Sequence, residues 1–66
     1  MSFAKNLRRE MDRAGMDVKA LAQKMHASKW TVYHWREGRQ VPHAEVVGEV
    51  ADVLGCTCDD LIRGRR

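Results

Sequence analysis

The sequence contains one proline, Pro42, and two cysteines, Cys56 and Cys58, set one residue apart. Two cysteines so close cannot staple the long loops that hold small secreted domains together. A Cys-x-Cys pair is half of a tetrahedral metal site, and no second half follows. His26, His34 and His43 are not spaced as its partners. The reading is reduced thiols in a cytoplasmic protein, with no metal and no cofactor. Aromatic residues make up 6% of the chain, and no apolar run approaches the roughly 18 residues of a membrane span. Met1-Ser2-Phe3-Ala4-Lys5 lacks the long apolar stretch of a signal peptide. No glycine-rich phosphate loop is present, and Ser28 with His34 has no third group to complete a nucleophile. A chain of 66 residues and 7.6 kDa is one small domain. It is too short to enclose a catalytic cleft, so no enzyme is expected.

What the sequence does carry is charge, unevenly spread. Lys and Arg number 12 against 9 Asp and Glu, a net +3 and a pI of about 9.2. Residues 1–40 hold nine basic side chains and four acids, a net +5. Residues 41–60 hold five acids and no Lys or Arg, and Arg63, Arg65 and Arg66 follow. A basic segment succeeded by an acidic one suggests one surface aimed at a polyanion, with the opposite side turned away. The hydrophobic fraction of 44% is enough for a packed core.

Periodicity predicts five short helices and no strand. Phe3, Leu7, Met11 and Ala14 share one face of a first segment, capped by Ser2 and ended by Gly15. A second segment, Asp17 to about Met25, turns Val18, Leu21, Ala22 and Met25 inward. A third runs from Ser28 to about Glu37, before Gly38. A fourth follows Pro42, which suits a first helical turn, with Ala44, Val47, Val50, Ala51 and Leu54 as its inner stripe. A last one, about Cys58 to Arg63, carries Leu61 and Ile62.

The second and third segments are joined so tightly that they form a helix-turn-helix at about residues 17–37. Such a unit can seat its second helix in the major groove of DNA. On that helix Val32 and Trp35, with Ser28 one turn earlier, define the buried side. Trp30 and His34 lie opposite, with Tyr33 and Lys29 on the flank. A solvated face would be Glu and Lys; this one is aromatic and hydrogen-bonding.

In order and at matching spacing, residues 3–62 resemble the Cro/repressor, or XRE-type, helix-turn-helix family. The residues that carry the likeness are Phe3-x3-Leu7, Ala14-Gly15-Met16, Leu21-Ala22-x2-Met25 and Ala27-Ser28-x2-Thr31-Val32-x2-Trp35. Gly38-x3-Pro42 and Ala51-x2-Leu54-Gly55-x5-Leu61-Ile62 complete it. The resemblance implies an all-α, compact five-helix bundle of the lambda-repressor-like type, one domain over residues 1–66, with 62–66 a basic, flexible tail. It implies a sequence-specific regulator similar to phage-type Cro repressors, binding double-stranded DNA as a homodimer on an inverted repeat and acting by occlusion. The place would be the cytoplasm of a bacterium or phage-infected bacterium, at the nucleoid. Base-reading positions fall on Lys29, Trp30, Tyr33 and His34, and phosphate-contacting ones on Ser28, Thr31, Arg39 and Gln40. Asp17 falls on a phosphate position too, but an acid suits only a cap.

Four positions depart from the family pattern. Val18 stands where the family usually has a Gln that braces the DNA backbone, and His26 where it usually has a Gly in a left-handed turn. Met11 and Arg36 stand where an Arg–Glu pair is common, so Arg36 is left to reach an acid on the fourth helix or a phosphate. Trp30 packs on a thymine methyl or sugar, or else folds back as extra core. With 66 residues no separate effector-sensing domain is expected, so control would be by abundance. Leu61 and Ile62 are the candidate dimer contacts. Two rivals stand beside this reading. Thr31-Val32-Tyr33-x-Trp35-Arg36 is also similar to excisionase-type and MerR-like helices, which bend DNA, although those open with a strand. Trp30 and Tyr33 could instead anchor a protein interface, as in an antitoxin or co-regulator on the same fold.

Overall fold

Four of the five helices of the computed structural model, which describes residues 2–64, begin at a side-chain cap, and the fourth along the chain does not. The five are α1 (Phe3–Ala14), α2 (Val18–Met25), α3 (Lys29–Glu37), α4 (Ala44–Leu54) and α5 (Cys58–Ile62), with no strand among the described residues. Ser2 Oγ accepts the Lys5 N–H at 3.2 Å, Asp17 Oδ1 that of Ala20 at 2.8 Å, and Ser28 Oγ that of Thr31 at 3.1 Å. Thr57 and Asp60 form a reciprocal capping box on α5, with bonds of 3.0 and 3.1 Å. Each cap satisfies an N–H that the helix itself cannot.

Four of the helices end alike. A left-handed residue follows α1, α2, α3 and α4, and the next N–H turns back to a carbonyl five residues earlier. Three of those residues are glycine. The fourth is His26, at φ 55° and ψ 38°, in the turn of the helix-turn-helix. An L side chain there costs roughly 1–2 kcal/mol relative to the right-handed region.

The core gathers Phe3, Leu7 and Met11 of α1, Leu21 and Ala22 of α2, and Val32 and Trp35 of α3. Val47, Val50, Ala51 and Leu54 of α4 and Leu61 of α5 complete it. Helix α1 packs against α3, α4 and α5, while α2 packs against α3 and α4. Helix α3 therefore lies across α1 and α2 with its outer face free. The bundle measures 29 × 22 × 20 Å.

Several expectations change. Ser28 is exposed rather than on the buried side, because its hydroxyl is spent on capping α3. Pro42 precedes α4 instead of sitting in its first turn: His43 is extended at ψ 161°, and the helical ladder starts with Val47 N–H to His43 O at 2.8 Å. Ala44 is then exposed. Leu61 is fully buried, so it is withdrawn as a docking residue, whereas Ile62 is 52% exposed. Ile62 still belongs to α5 and Arg63 caps it; Arg65 and Arg66, the rest of the expected basic tail, lie outside the described residues.

The side of α1 facing α4 and α5 holds a polar network. Glu10 is fully buried; it accepts from Arg13 Nε at 2.7 Å and from Arg9 Nε and Nη2 at 3.2 and 3.1 Å. The same guanidiniums reach across the bundle. Arg13 donates to Leu54 O at 2.9 Å and Arg9 to Asp60 O at 2.8 Å, while Asn6 Nδ2 donates to Leu61 O at 2.8 Å. These carbonyls belong to the last turns of α4 and α5, where the helix dipoles favour a cation. Gly64, at φ 91°, closes over this network: a Cβ there would stand 3.2 Å from Asn6 Oδ1.

Candidate nucleic-acid interface

Three residues, His26, Ala27 and Ser28, separate α2 from α3. The packing of Val32 and Trp35 into the core, Trp35 at 5% exposure, fixes the rotation of α3 and drives the opposite positions outward. Trp30 is 70% exposed and Tyr33 47%. Trp30 does not fold back onto the domain. Its ring centroid lies 6.5 Å from that of Tyr33 and 6.5 Å from that of His34, tilted by 38° and 52°. Those separations fall inside the range of paired aromatics. The side chains at i, i+3 and i+4 thus make one ridge along the outer face of α3.

Beside the ridge runs an open groove lined by Val18 and Lys19 of α2 and by Lys29, Trp30, Tyr33 and Arg36 of α3, with the cap Asp17 at its end. Val18, Trp30 and Tyr33 give the groove apolar lining, and Lys19, Lys29 and Arg36 supply cations. Arg36 also borders a second hollow with Arg8, Met11, Asp12 and Asp17, toward α1 and α2 rather than α4. The expectation that Arg36 reaches an acid on α4 finds no ion pair among the described residues.

The phosphate candidates are less unified. Ser28 and Thr31 stand together at the start of α3, their hydroxyl oxygens 3.0 Å apart. Arg39 and Gln40 are exposed beyond Gly38, off the end of the helix. Gln40 borders a different hollow, with Trp35, Val41, Pro42, His43 and Val46. Sequence reasoning missed Lys19 as a groove residue. Its place in the groove depends on how α2 and α3 cross, which the sequence pattern does not mark.

The charge pattern is also sorted by the fold. Arg9 and Arg13, counted in the basic segment, are committed to Glu10 and to the ends of α4 and α5. Lys19, Lys29, Arg36 and Arg39 remain on the α2–α3 side.

Two helices joined by three residues, the second buried on one side and aromatic on the other, make a helix-turn-helix. The family model of the helix-turn-helix domain matches residues 2–63. The chain belongs to that family. No curated protein and no solved structure matches it. The match covers all five helices, so the whole bundle is the helix-turn-helix domain, and membership implies DNA binding. No helix of the described residues is long and apolar enough to cross a membrane.

Proposed function

We propose that this domain is a sequence-specific regulator of transcription that lays α3 in the major groove of double-stranded DNA. The observation that carries the reading is Trp30, 70% exposed at the second position of the second helix of the motif. A large apolar side chain held away from its own core marks a contact surface. Lys29, Trp30, Tyr33 and His34 would meet base edges. Ser28, Thr31, Arg39 and Gln40 would meet phosphates, joined by Lys19 and Arg36 from the groove. The width of a B-DNA major groove, about 12 Å, admits one helix.

The mode is Cro-like: two copies bind an inverted repeat and occlude the site to polymerase or a competing activator. Half-sites on one face of DNA lie about 34 Å apart. The domain's long axis of 29 Å supports this, since two copies at that spacing nearly touch. Ile62 and Val41 are exposed apolar side chains outside α3, and Ile62 is the one proposed for such a contact. No small-molecule effector takes part, and the chain binds rather than catalyses.

The exposed pair Trp30 and Tyr33 also supports a second reading, a protein-docking module. Selection from randomised duplexes at about 0.15 M salt separates the two. The expected result is an enriched inverted repeat that Trp30→Ala and His34→Ala alter or abolish. Failure to enrich any sequence, with only loose salt-sensitive binding, overturns the regulator and favours the docking module.

A further inference from the structure

The ridge on α3 has a composition that limits what it can read. Bidentate recognition of adenine uses Asn or Gln, and that of guanine uses Arg or Lys. Between Lys29 and Trp35 there is no Asn, Gln or Arg, so Lys29 at the start of the helix is the one bidentate candidate, and Arg36 lines the groove and the hollow toward α1. The most exposed large apolar side chain is the indole of Trp30, whose ring lies 6.5 Å from those of Tyr33 and His34, one turn further along the helix. The groove beside it is lined by Val18 and Tyr33 together with Lys19, Lys29 and Arg36. An exposed indole beside such a groove is not a site for a polar base edge. The apolar feature of the major-groove floor is the C5-methyl group of a pyrimidine.

We infer that Trp30, at the edge of the groove it shares with Val18 and Tyr33, reads the C5-methyl of thymine or of 5-methylcytosine in each half-site. This rests on the DNA-binding reading above and adds its base specificity. Trp30 contributes the apolar contact. Lys19 and Arg36 hold the neighbouring phosphates and set the depth of the helix. Tyr33 and His34 fix the indole plane and leave their own polar atoms for the flanking base pairs.

The test removes the methyl and nothing else. Wild-type protein is first taken through duplex selection to obtain an operator. Each thymine of that operator is then replaced by deoxyuridine, which pairs identically. One or two positions per half-site are expected to lose about four-fold in affinity each, the worth of one buried carbon. Trp30→Ala, whose site is exposed and whose folding is checked by thermal melting, should be indifferent to the same replacements. In a second arm the sensitive position is changed to cytosine or 5-methylcytosine. A gain for the methylated base shows that either source of the methyl meets Trp30; a loss in the first arm alone assigns it to thymine. An operator for which neither arm changes affinity overturns the methyl reading and leaves DNA recognition intact. Absence of any operator overturns the regulator reading and the methyl reading with it.

Discussion

Replacing Glu10 by Gln tests whether stability and recognition are housed on different sides of the bundle. The carboxylate is fully buried and accepts three guanidinium hydrogen bonds, at 2.7, 3.1 and 3.2 Å. Gln keeps one oxygen in place of two, so one arginine finds an N–H where it had an acceptor. Hydrogen bonds to charged groups contribute roughly 1.5–3 kcal/mol each. Truncating one side of a fully buried ion pair costs roughly 3–5 kcal/mol. The arginine side chains are 37% and 42% exposed, however, so water re-solvates the abandoned head and reduces the loss. The amide is also cheaper to bury than the carboxylate. The balance is a loss of about 2 kcal/mol, drawn from a domain whose total stability is on the order of 3–10 kcal/mol. At roughly 4–8 °C per kcal/mol for this size, melting followed by circular dichroism should fall by about 8–16 °C. Helix α3 is untouched, so at a temperature where both proteins are folded the salt dependence of DNA binding should not change. A melting shift below about 4 °C, which is less than roughly 1 kcal/mol, refutes the assignment of the network as the clamp on α4 and α5. An altered salt slope refutes the separation of the two faces.

Other substitutions probe the same logic. Trp35→Ala removes a side chain 5% exposed and should cost about 3–5 kcal/mol, leaving little cooperative melting; retention of the wild-type midpoint would contradict its place in the core. Asp17→Ala loses the α2 cap, about 1 kcal/mol, yet deletes the acid beside Lys19, Lys29 and Arg36. It should melt lower and bind DNA more tightly at low salt, and weaker binding would argue that Asp17 faces the ligand as an acceptor. Arg39→Ala should reduce the salt slope by about one unit, whereas Arg9→Ala should lower stability and leave the slope alone. Gly48→Ala fills open space in the middle of α4, where the nearest atom to the new methyl is Cys58 Sγ at 4.0 Å. It should raise stability by up to about 1 kcal/mol, and a lower midpoint would show the space is not there.

The helices were legible because their ends are chemically marked. Ser2, Asp17, Ser28 and Thr57 have side chains that can only help at an N-terminus, and Gly15, Gly38 and Gly55 permit the left-handed turn that stops a helix. The ridge was legible for a related reason. Once Val32 and Trp35 are assigned inward, helical geometry leaves Trp30 and His34 outward. The Glu10 network was not legible. Arg9, Glu10 and Arg13 read locally as a solvated charged face, and the network around the buried Glu10 depends on α5, more than 50 residues away. Ser28 misled for the opposite reason: its position on the wheel points inward, but the first residue of a cap is extended and leaves the wheel. Arg36 and Lys19 become neighbours only when α2 and α3 cross, which a one-dimensional pattern does not contain.

The fold divides its cations by what they face. Arg9 and Arg13 are spent on the carbonyl ends of α4 and α5 and on one buried carboxylate, so they hold the acidic C-terminal third against α1. That arrangement keeps Glu45, Glu49, Asp52 and Asp59, which are exposed, on elements other than the α2–α3 pair. The cations left around α3 then act on an approaching polyanion with Asp17 and Glu37 as the acids nearest in sequence. A net charge of +3 understates the segregation along the sequence, although Glu49 and Asp52 of α4 share a hollow with Lys24 of α2. Long-range attraction would orient the domain with α3 foremost, and the short-range contact of an apolar ridge would then discriminate among sequences. The two steps respond differently to salt: attraction weakens as the Debye length shortens, while methyl contact does not. Raising salt should therefore lower affinity for operator and for random DNA by similar factors and leave their ratio nearly constant. A ratio that collapses with salt would mean that charge, not the Trp30 ridge, chooses the sequence.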